Sequence, residues 1–456
     1  MKKILLLITI AASIACKKTT NNTTVTPPST TDTIVQFGTP FNKVPNREDA
    51  IIYQVNMRAF SSAGNFQGVT NRLDSIQALG VNVIYLMPIF PIGTAKSINS
   101  PYCIKDYQSV NPELGSLADL RNLVEQAHNR NMSVIIDWVA NHTSWDHGWI
   151  TKNKNWYLQD GSGNVVSPPG TGWNDVAQLN FANADMRLAM INSMKFWIRS
   201  ANIDGFRCDY ADGPPVEFWK QAIDSLRGFT SHKLLMLAEG NRNLHFWAGF
   251  DYNFGFSFYG TIKSVFQNNT SAVQLNAVHN NEYSGAAATQ QVVRYITNHD
   301  VNSSDGVPQV LFGNNEGALA AFTIAATMNS VPMIYNGQEI AFSSRISFPF
   351  TSVKINWDGN RNILEAYKKI LAIRNSEAAL RKGSLSIFSS ENVCVFTRNT
   401  TTDTVLVMAN VRNTVINVTL PVAFNNIAAT NLLSNEKIDL KTNISLQPYQ
   451  YLILKK

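Results

Sequence analysis

Short apolar runs alternating with amphipathic helical segments, about eight times over, predict an α/β protein, a (β/α)8 TIM barrel. Three observations carry that expectation. The alternation itself comes first. The chain is 456 residues long, enough for a large barrel and an accessory domain. No Gly-x-Gly-x-x-Gly turn or phosphate loop follows the first apolar run, which counts against an open nucleotide-binding sheet. Two departures from the repeat are expected: a short inserted domain after strand three, and a C-terminal antiparallel β-sandwich.

In chain order, residues 1–15 read as a lipoprotein signal peptide. Lys2 and Lys3 precede an apolar stretch, Ile4 to Ala15, that is too short to span a bilayer. Ser13-Ile14-Ala15-Cys16 resembles the bacterial lipobox, with Ser13 where Leu is usual. A lipid anchor on Cys16 is therefore expected, which would tie the protein to a membrane of the cell envelope, facing the periplasm or the cell surface. Residues 16–36, rich in Thr, Asn and Pro, have almost nothing to bury and read as a flexible tether.

Residues 37–380 are expected to form the barrel. Its buried strands are read at Ala50 to Gln54, Val81 to Met87, Val134 to Trp138, Ile203 to Asp209, Leu234 to Glu239, Phe250 to Tyr252, Val292 to Asn298 and Val331 to Tyr335. Helices are read at Leu117 to Asn129, Met186 to Ser200, Val216 to Arg227 and Ile363 to Arg374. The inserted domain occupies about 141–182, a Trp-, Asn- and Gly-rich excursion. Residues 381–456 alternate as strands: Leu385 to Phe388, Val393 to Thr397, Thr404 to Asn410, Val415 to Leu420 and Tyr451 to Leu454.

Composition narrows the function. Charged residues make up 15%, against about 25% in typical proteins, a balance that suits neutral, hydroxyl-rich ligands. The net charge is +6, but Lys and Arg are scattered with no dense run, so no nucleic-acid partner is expected. Cys103, Cys208 and Cys394 are an odd number beyond Cys16, which argues against a disulfide framework. A monomer is expected.

In such a barrel, chemistry collects at the C-terminal ends of the strands. The third strand ends with Asp137, Asn141 and His142. The fourth carries Arg207 and Asp209 two apart, so period-two geometry points both side chains into the mouth. The fifth is five apolar residues closed by Glu239, and the seventh ends in Asn298-His299-Asp300. One such carboxylate could be a cap or an ion-pair partner. Four neighbouring strand ends with polar groups are costly unless they have work to do. The set lacks a Ser or Cys nucleophile paired with a base, and lacks a His-Glu-x-x-His helix. Paired carboxylates with a third in support suit glycosidic cleavage through an oxocarbenium-like transition state.

Asp137-x-x-x-Asn141-His142, Gly205-x-Arg207-x-Asp209, Glu239 and Asn298-His299-Asp300 resemble, in order and spacing, four signature regions of the α-amylase family of retaining glycoside hydrolases. Gly80 to Pro88, Gln178-Leu179-Asn180 and Gly337-Gln338-Glu339 resemble further family motifs. The resemblance covers roughly residues 45 to 456. It implies Asp209 as nucleophile, Glu239 as acid/base, and Asp300 as a grip on sugar hydroxyls. It implies substrate contacts from His142, His299 and Tyr102, with Asp137, Asn141 and Asn298 in support. Arg207, beside Asp209, is expected to bind at the same site and keep that carboxylate ionised. The implied substrate is a starch-like α-glucan or maltooligosaccharide. An α-1,6-glucosidase or transglycosylase would use the same residues. A catalytically silent glucan-binding lipoprotein is the reading from a different class, and the presence of all three carboxylates counts against it.

The pattern departs from the family in two places. Asp212 and Gly213 stand where Lys-His is common, and Asn180 stands where calcium-dependent members have Asp. Asn141 alone is a poor site for a hard cation. No cofactor and no metal site are expected; calcium is the cation the family would suggest, and its usual site looks degraded. Trp138, Trp145, Trp149, Trp156 and Trp173 cluster around the excursion, either as stacking surfaces or as its own core. Phe246, Trp247, Phe250, Tyr252, Phe254, Phe256, Phe258 and Tyr259 are expected mostly to pack the sixth strand and helix.

Overall fold

The computed structural model describes residues 34–456. The signal peptide, Cys16 and nearly all of the expected tether lie outside the described residues.

Eight parallel strands close into a barrel: β1 (Ile52–Val55), β2 (Val83–Leu86), β3 (Ser133–Val139), β4 (Gly205–Asp209), β5 (Leu235–Ala238), β6 (Tyr252–Phe254), β7 (Gln291–Arg294) and β8 (Val331–Tyr335). Each pairs with its sequence neighbours, and β8 returns to β1 with Met333 opposite Ile52. Nearly every strand residue is buried, because the outer face lies under helices and the inner face fills the barrel. β7 is shorter than expected. It stops at Arg294, and Tyr295, Ile296 and Thr297 continue as irregular backbone before Asn298 caps a new helix.

Local signals explain the crossovers. Ser116 and Asp119 form a reciprocal capping box that starts the helix Leu117–Asn129. Asn183 caps Ala184–Ser200 by accepting from Met186 N–H. The helix Asn315–Thr327 is buried on every side from Gly317 onward. It is apolar all round because it lies between the barrel and the C-terminal strands.

The excursion after β3 begins with an antiparallel ribbon, His142–Ser144 against Val176–Gln178. Beyond the helix Ala378–Lys382, a six-stranded sheet forms from β9 (Ser384–Ile387), β10 (Val393–Asn399), β11 (Thr404–Asn410), β13 (Ile427–Asn431), β14 (Glu436–Leu440) and β16 (Tyr451–Lys455). A second sheet pairs β12 (Ile416–Thr419) with β15 (Asn443–Leu446). Period-two alternation divides the core here. Cys394, Phe396, Val405 and Val407 join the barrel's hydrophobic cluster, while Val393, Val395, Leu406 and Met408 pack toward Val418 and Leu446. Strands β13, β14 and β15 were not expected from the sequence.

Among the described residues no helix is long and apolar enough to cross a membrane. Cys103, Cys208 and Cys394 are buried free thiols.

Candidate active site

β4 places Arg207 and Asp209 on one face, and Arg207 is fully buried. Its Nη1 donates to Asp137 Oδ1 at 2.6 Å and to Asp209 Oδ1 at 2.9 Å, and Nη2 donates to Glu239 Oε1. One guanidinium therefore holds three carboxylates drawn from the ends of β3, β4 and β5. Its planar fork makes this possible, as a lysine ammonium could not. Asp137 also accepts from Tyr85 Oη at 2.6 Å, and Tyr102 Oη lies 3.3 Å away. Asp137 is wholly buried beneath the cavity and braces Arg207.

Arg207 acts on Asp209 in the expected direction, but it does not act alone. Burial raises the Asp209 carboxyl well above the usual carboxylate range. Arg207 pulls it down, but Glu239, Asp137 and Asp300 push it up. A cation shared among three acids cannot neutralise each of them. Burial likewise pushes Asp137 up to about 6.

The group after β7 stands apart from the strand. Asn298 accepts from Asp300 N–H at 3.0 Å and Val301 N–H at 2.9 Å, capping the helix His299–Ser304. That cap presents Asp300 to the cavity, with its side chain 60% exposed and 3.3 Å from His299 Nε2. Gln54 Nε2 donates to His299 Nδ1 at 2.7 Å, which leaves the ring proton on Nε2, facing Tyr102 Oη at 2.7 Å. The Tyr102 and His299 rings stack at 5.5 Å. Burial lowers the imidazoles of His142 to about 4 and His299 to about 3, so both stay neutral at ordinary pH.

These groups border a cavity of about 370 Å³ at the barrel mouth. Tyr102, His142, Asp209, Glu239, His299 and Asp300 line it, whereas Arg207, Asp137, Asn141 and Asn298 do not and act from behind. Sequence reasoning passed over Gln54 and Tyr85, which lie inside apolar strand runs. It also passed over Tyr210, Phe348 and Phe350, which come from loops and form part of the wall. Phe256, expected to pack the sixth helix, lines the cavity instead, and Trp247 is 56% exposed. Of the five clustered tryptophans only Trp173 borders the cavity; Trp138 is core, and Trp149 and Trp156 pack together at 5.1 Å.

A calcium ion at Asn141 does not fit these residues. Gln178 Nε2 donates to Asn141 O at 3.0 Å, to Asn141 Oδ1 at 3.2 Å and to Leu179 O at 3.0 Å. Asn180 Oδ1 accepts from Ala182 N–H. The oxygens a cation would need already accept from an amide.

Comparison with known proteins identifies the family. The model of the alpha-amylase catalytic domain matches residues 19–165 and 171–348. The chain belongs to the alpha-amylase family. It is an α-glucan hydrolase of that family. It is 26% identical over 390 residues to alpha-amylase 2 of Dictyoglomus thermophilum, covering 80% of this chain and 67% of that one. It is 25% identical over 420 residues to alpha-amylase MalA of Haloarcula japonica, covering 87% of this chain and 60% of that relative's length. The crystal structure of an alpha-amylase from Lactobacillus plantarum superposes with a TM-score of 0.80 at 25% identity, covering 90% of this chain and 99% of that one.

Proposed function

We propose that this family member is a retaining hydrolase of α-1,4-glucosidic bonds in starch-like chains or maltooligosaccharides. Glu239 gives a proton to the leaving oxygen while the Asp209 carboxylate attacks the anomeric carbon, forming a covalent glycosyl-enzyme. Glu239 then removes a proton from the incoming water, whose oxygen displaces Asp209. Asp300 and His299 grip hydroxyls of the ring at the cleaved bond, and Tyr102 and His142 complete its surroundings.

The observation that carries the reading is the single buried guanidinium joining Asp209 and Glu239 at the floor of a cavity with aromatic walls. Glu239, His299 and Asp300 each bring one atom within 4.8 Å of the others, a spacing that also suits a metal. We read it as convergence on sugar hydroxyls, and we propose that no metal or cofactor is required. Anchorage through a lipid on Cys16, within the cell envelope, is a further part of the proposal and rests on the sequence of residues 1–16. The mass of the mature N-terminal peptide tests it.

The functional test is incubation of the purified protein with maltoheptaose, resolving product lengths and anomeric form over time beside the Glu239→Gln variant. Release of shorter α-anomers, abolished by the variant, is expected. β-anomeric products would overturn the retaining mechanism, and cleavage confined to isomaltose or pullulan would overturn the bond assignment.

A further inference from the structure

Tyr210 follows Asp209 directly, and its backbone lies in the left-handed region at φ 41°. A bulky residue stays there only where neighbouring bonds hold it. Those bonds are present. Tyr210 N–H donates to Glu239 Oε2 at 2.9 Å, and Ala211 N–H donates to the Glu239 carbonyl at 2.8 Å. Gly213 N–H closes the turn on the Tyr210 carbonyl at 2.9 Å. A Cβ on Gly213 would sit 2.5 Å from Asn141 Oδ1 and 2.6 Å from the Tyr210 ring, so the turn tolerates no larger residue there.

The turn thus does two things at once. It aims an N–H at the Glu239 carboxylate, and it projects the Tyr210 ring into the cavity, where the residue remains 36% exposed. Trp173, from the excursion after β3, meets that ring edge to face at 5.0 Å and is itself 37% exposed. Trp173 in turn meets His142 at 5.5 Å, so the wall continues to the polar floor. Partly exposed aromatic rings in an open cavity, next to a few aimed polar groups, suit the apolar face of a sugar.

We propose that Tyr210, with Trp173 beside it, is a specificity-determining residue for the leaving-group sugar. The same wall receives any sugar that intercepts the glycosyl-enzyme. The inference rests on Glu239 being the acid/base: the Tyr210 N–H lies on that carboxylate, and both residues line the same cavity. In transfer, an acceptor hydroxyl bonds to the anomeric carbon. The bond to Asp209 breaks with its electron pair returning to the carboxylate, and the hydroxyl proton passes to Glu239.

The test compares kcat/KM on maltotetraose with kcat/KM on α-maltosyl fluoride, whose leaving group has no sugar face, and measures transfer to added maltose. Tyr210→Gly suits the positive φ and removes the ring; Trp173→Ala removes its partner from a different element; Tyr210→Phe keeps the stacking surface. Tyr210→Gly and Trp173→Ala are each expected to lose about three- to tenfold more on maltotetraose than on the fluoride. The transfer-to-hydrolysis ratio falls by a similar factor, and Tyr210→Phe restores most of both. Equal losses on the two substrates, or no loss on either, overturn the proposal. A Glu239→Gln variant that still cleaves maltotetraose would instead overturn the acid/base assignment beneath it, and that outcome is separately visible.

Discussion

Gln178 and Asn141 grip each other in both directions: Gln178 Nε2 donates to Asn141 O and Oδ1, and Asn141 Nδ2 donates to Gln178 Oε1 at 3.1 Å. This amide pair locks the ribbon at the base of the excursion onto the end of β3, close behind His142. On the proposal that no metal is required, this joint holds by hydrogen bonds alone. Chelation is therefore expected to shift Tm by less than about 1 °C, since no bound ion would be removed. Gln178→Ala, which strands buried acceptors at about 1–3 kcal/mol each, should lower Tm by several degrees. Calorimetry with and without EGTA decides. A large drop on chelation would mean that a cation holds this joint.

Arg207 is the one group that touches Asp137, Asp209 and Glu239 together. Arg207→Lys keeps the charge but loses the fork, so at most one or two of the three contacts survive. The variant should fold and lose roughly a hundredfold or more in kcat/KM, with the loss mainly in kcat, because the carboxylates drift from their reacting positions. Steady-state kinetics on maltoheptaose checks this, and a pure KM effect would place Arg207 in substrate binding alone.

Asp137 contributes a negative charge that raises the Asp209 carboxyl and draws on the guanidinium that would lower it. Asp137→Asn removes the charge and leaves more of Arg207 to Asp209. Both changes favour the ionised nucleophile. The acid limb of the kcat/KM profile should therefore move to lower pH. A limb that stays put or moves upward would show that Asp209 does not control it.

Barrel strands β1 to β5 and β8 were legible to within two residues at each end, because a strand buried on both faces is an unbroken apolar run. The same rule misled at β7. Tyr295-Ile296-Thr297 continues the apolar run, yet the backbone has left the sheet to bring Asn298 into its cap. β13, β14 and β15 were missed because each buries only one face and spends the rest on residues such as Glu436, Lys437 and Asp439. In the site, acids and imidazoles at strand ends stood out as exceptions to apolar runs. Gln54 and Tyr85 did not, since each is a single polar side chain inside a hydrophobic strand. Asp212-Gly213 signals a turn, but nothing local marks Tyr210 as left-handed: its backbone is held by a bond to Glu239, 29 residues away.

His142 offers a separate handle on pH, through stability rather than rate. Burial lowers its imidazole from 6.5 to about 4, so the unfolded chain binds the proton first as pH falls. Stability from keeping this ring neutral is complete above about pH 6.5 and is lost toward pH 4, amounting to roughly 2 kcal/mol by pH 5. Asp137 works in the opposite sense. With its carboxyl raised from 3.8 to about 6, the folded state binds the proton first, and acid stabilises it across that window. The two partly cancel in the wild-type curve, so the informative quantity is a difference. In His142→Asn the histidine contribution is gone and Asp137 remains. The gap in unfolding free energy between wild type and variant should therefore shrink by about 2 kcal/mol from pH 7 to pH 5. Urea denaturation at the two pH values measures it. A gap independent of pH would mean that His142 titrates alike in the folded and unfolded chain, and that its ring is open to water.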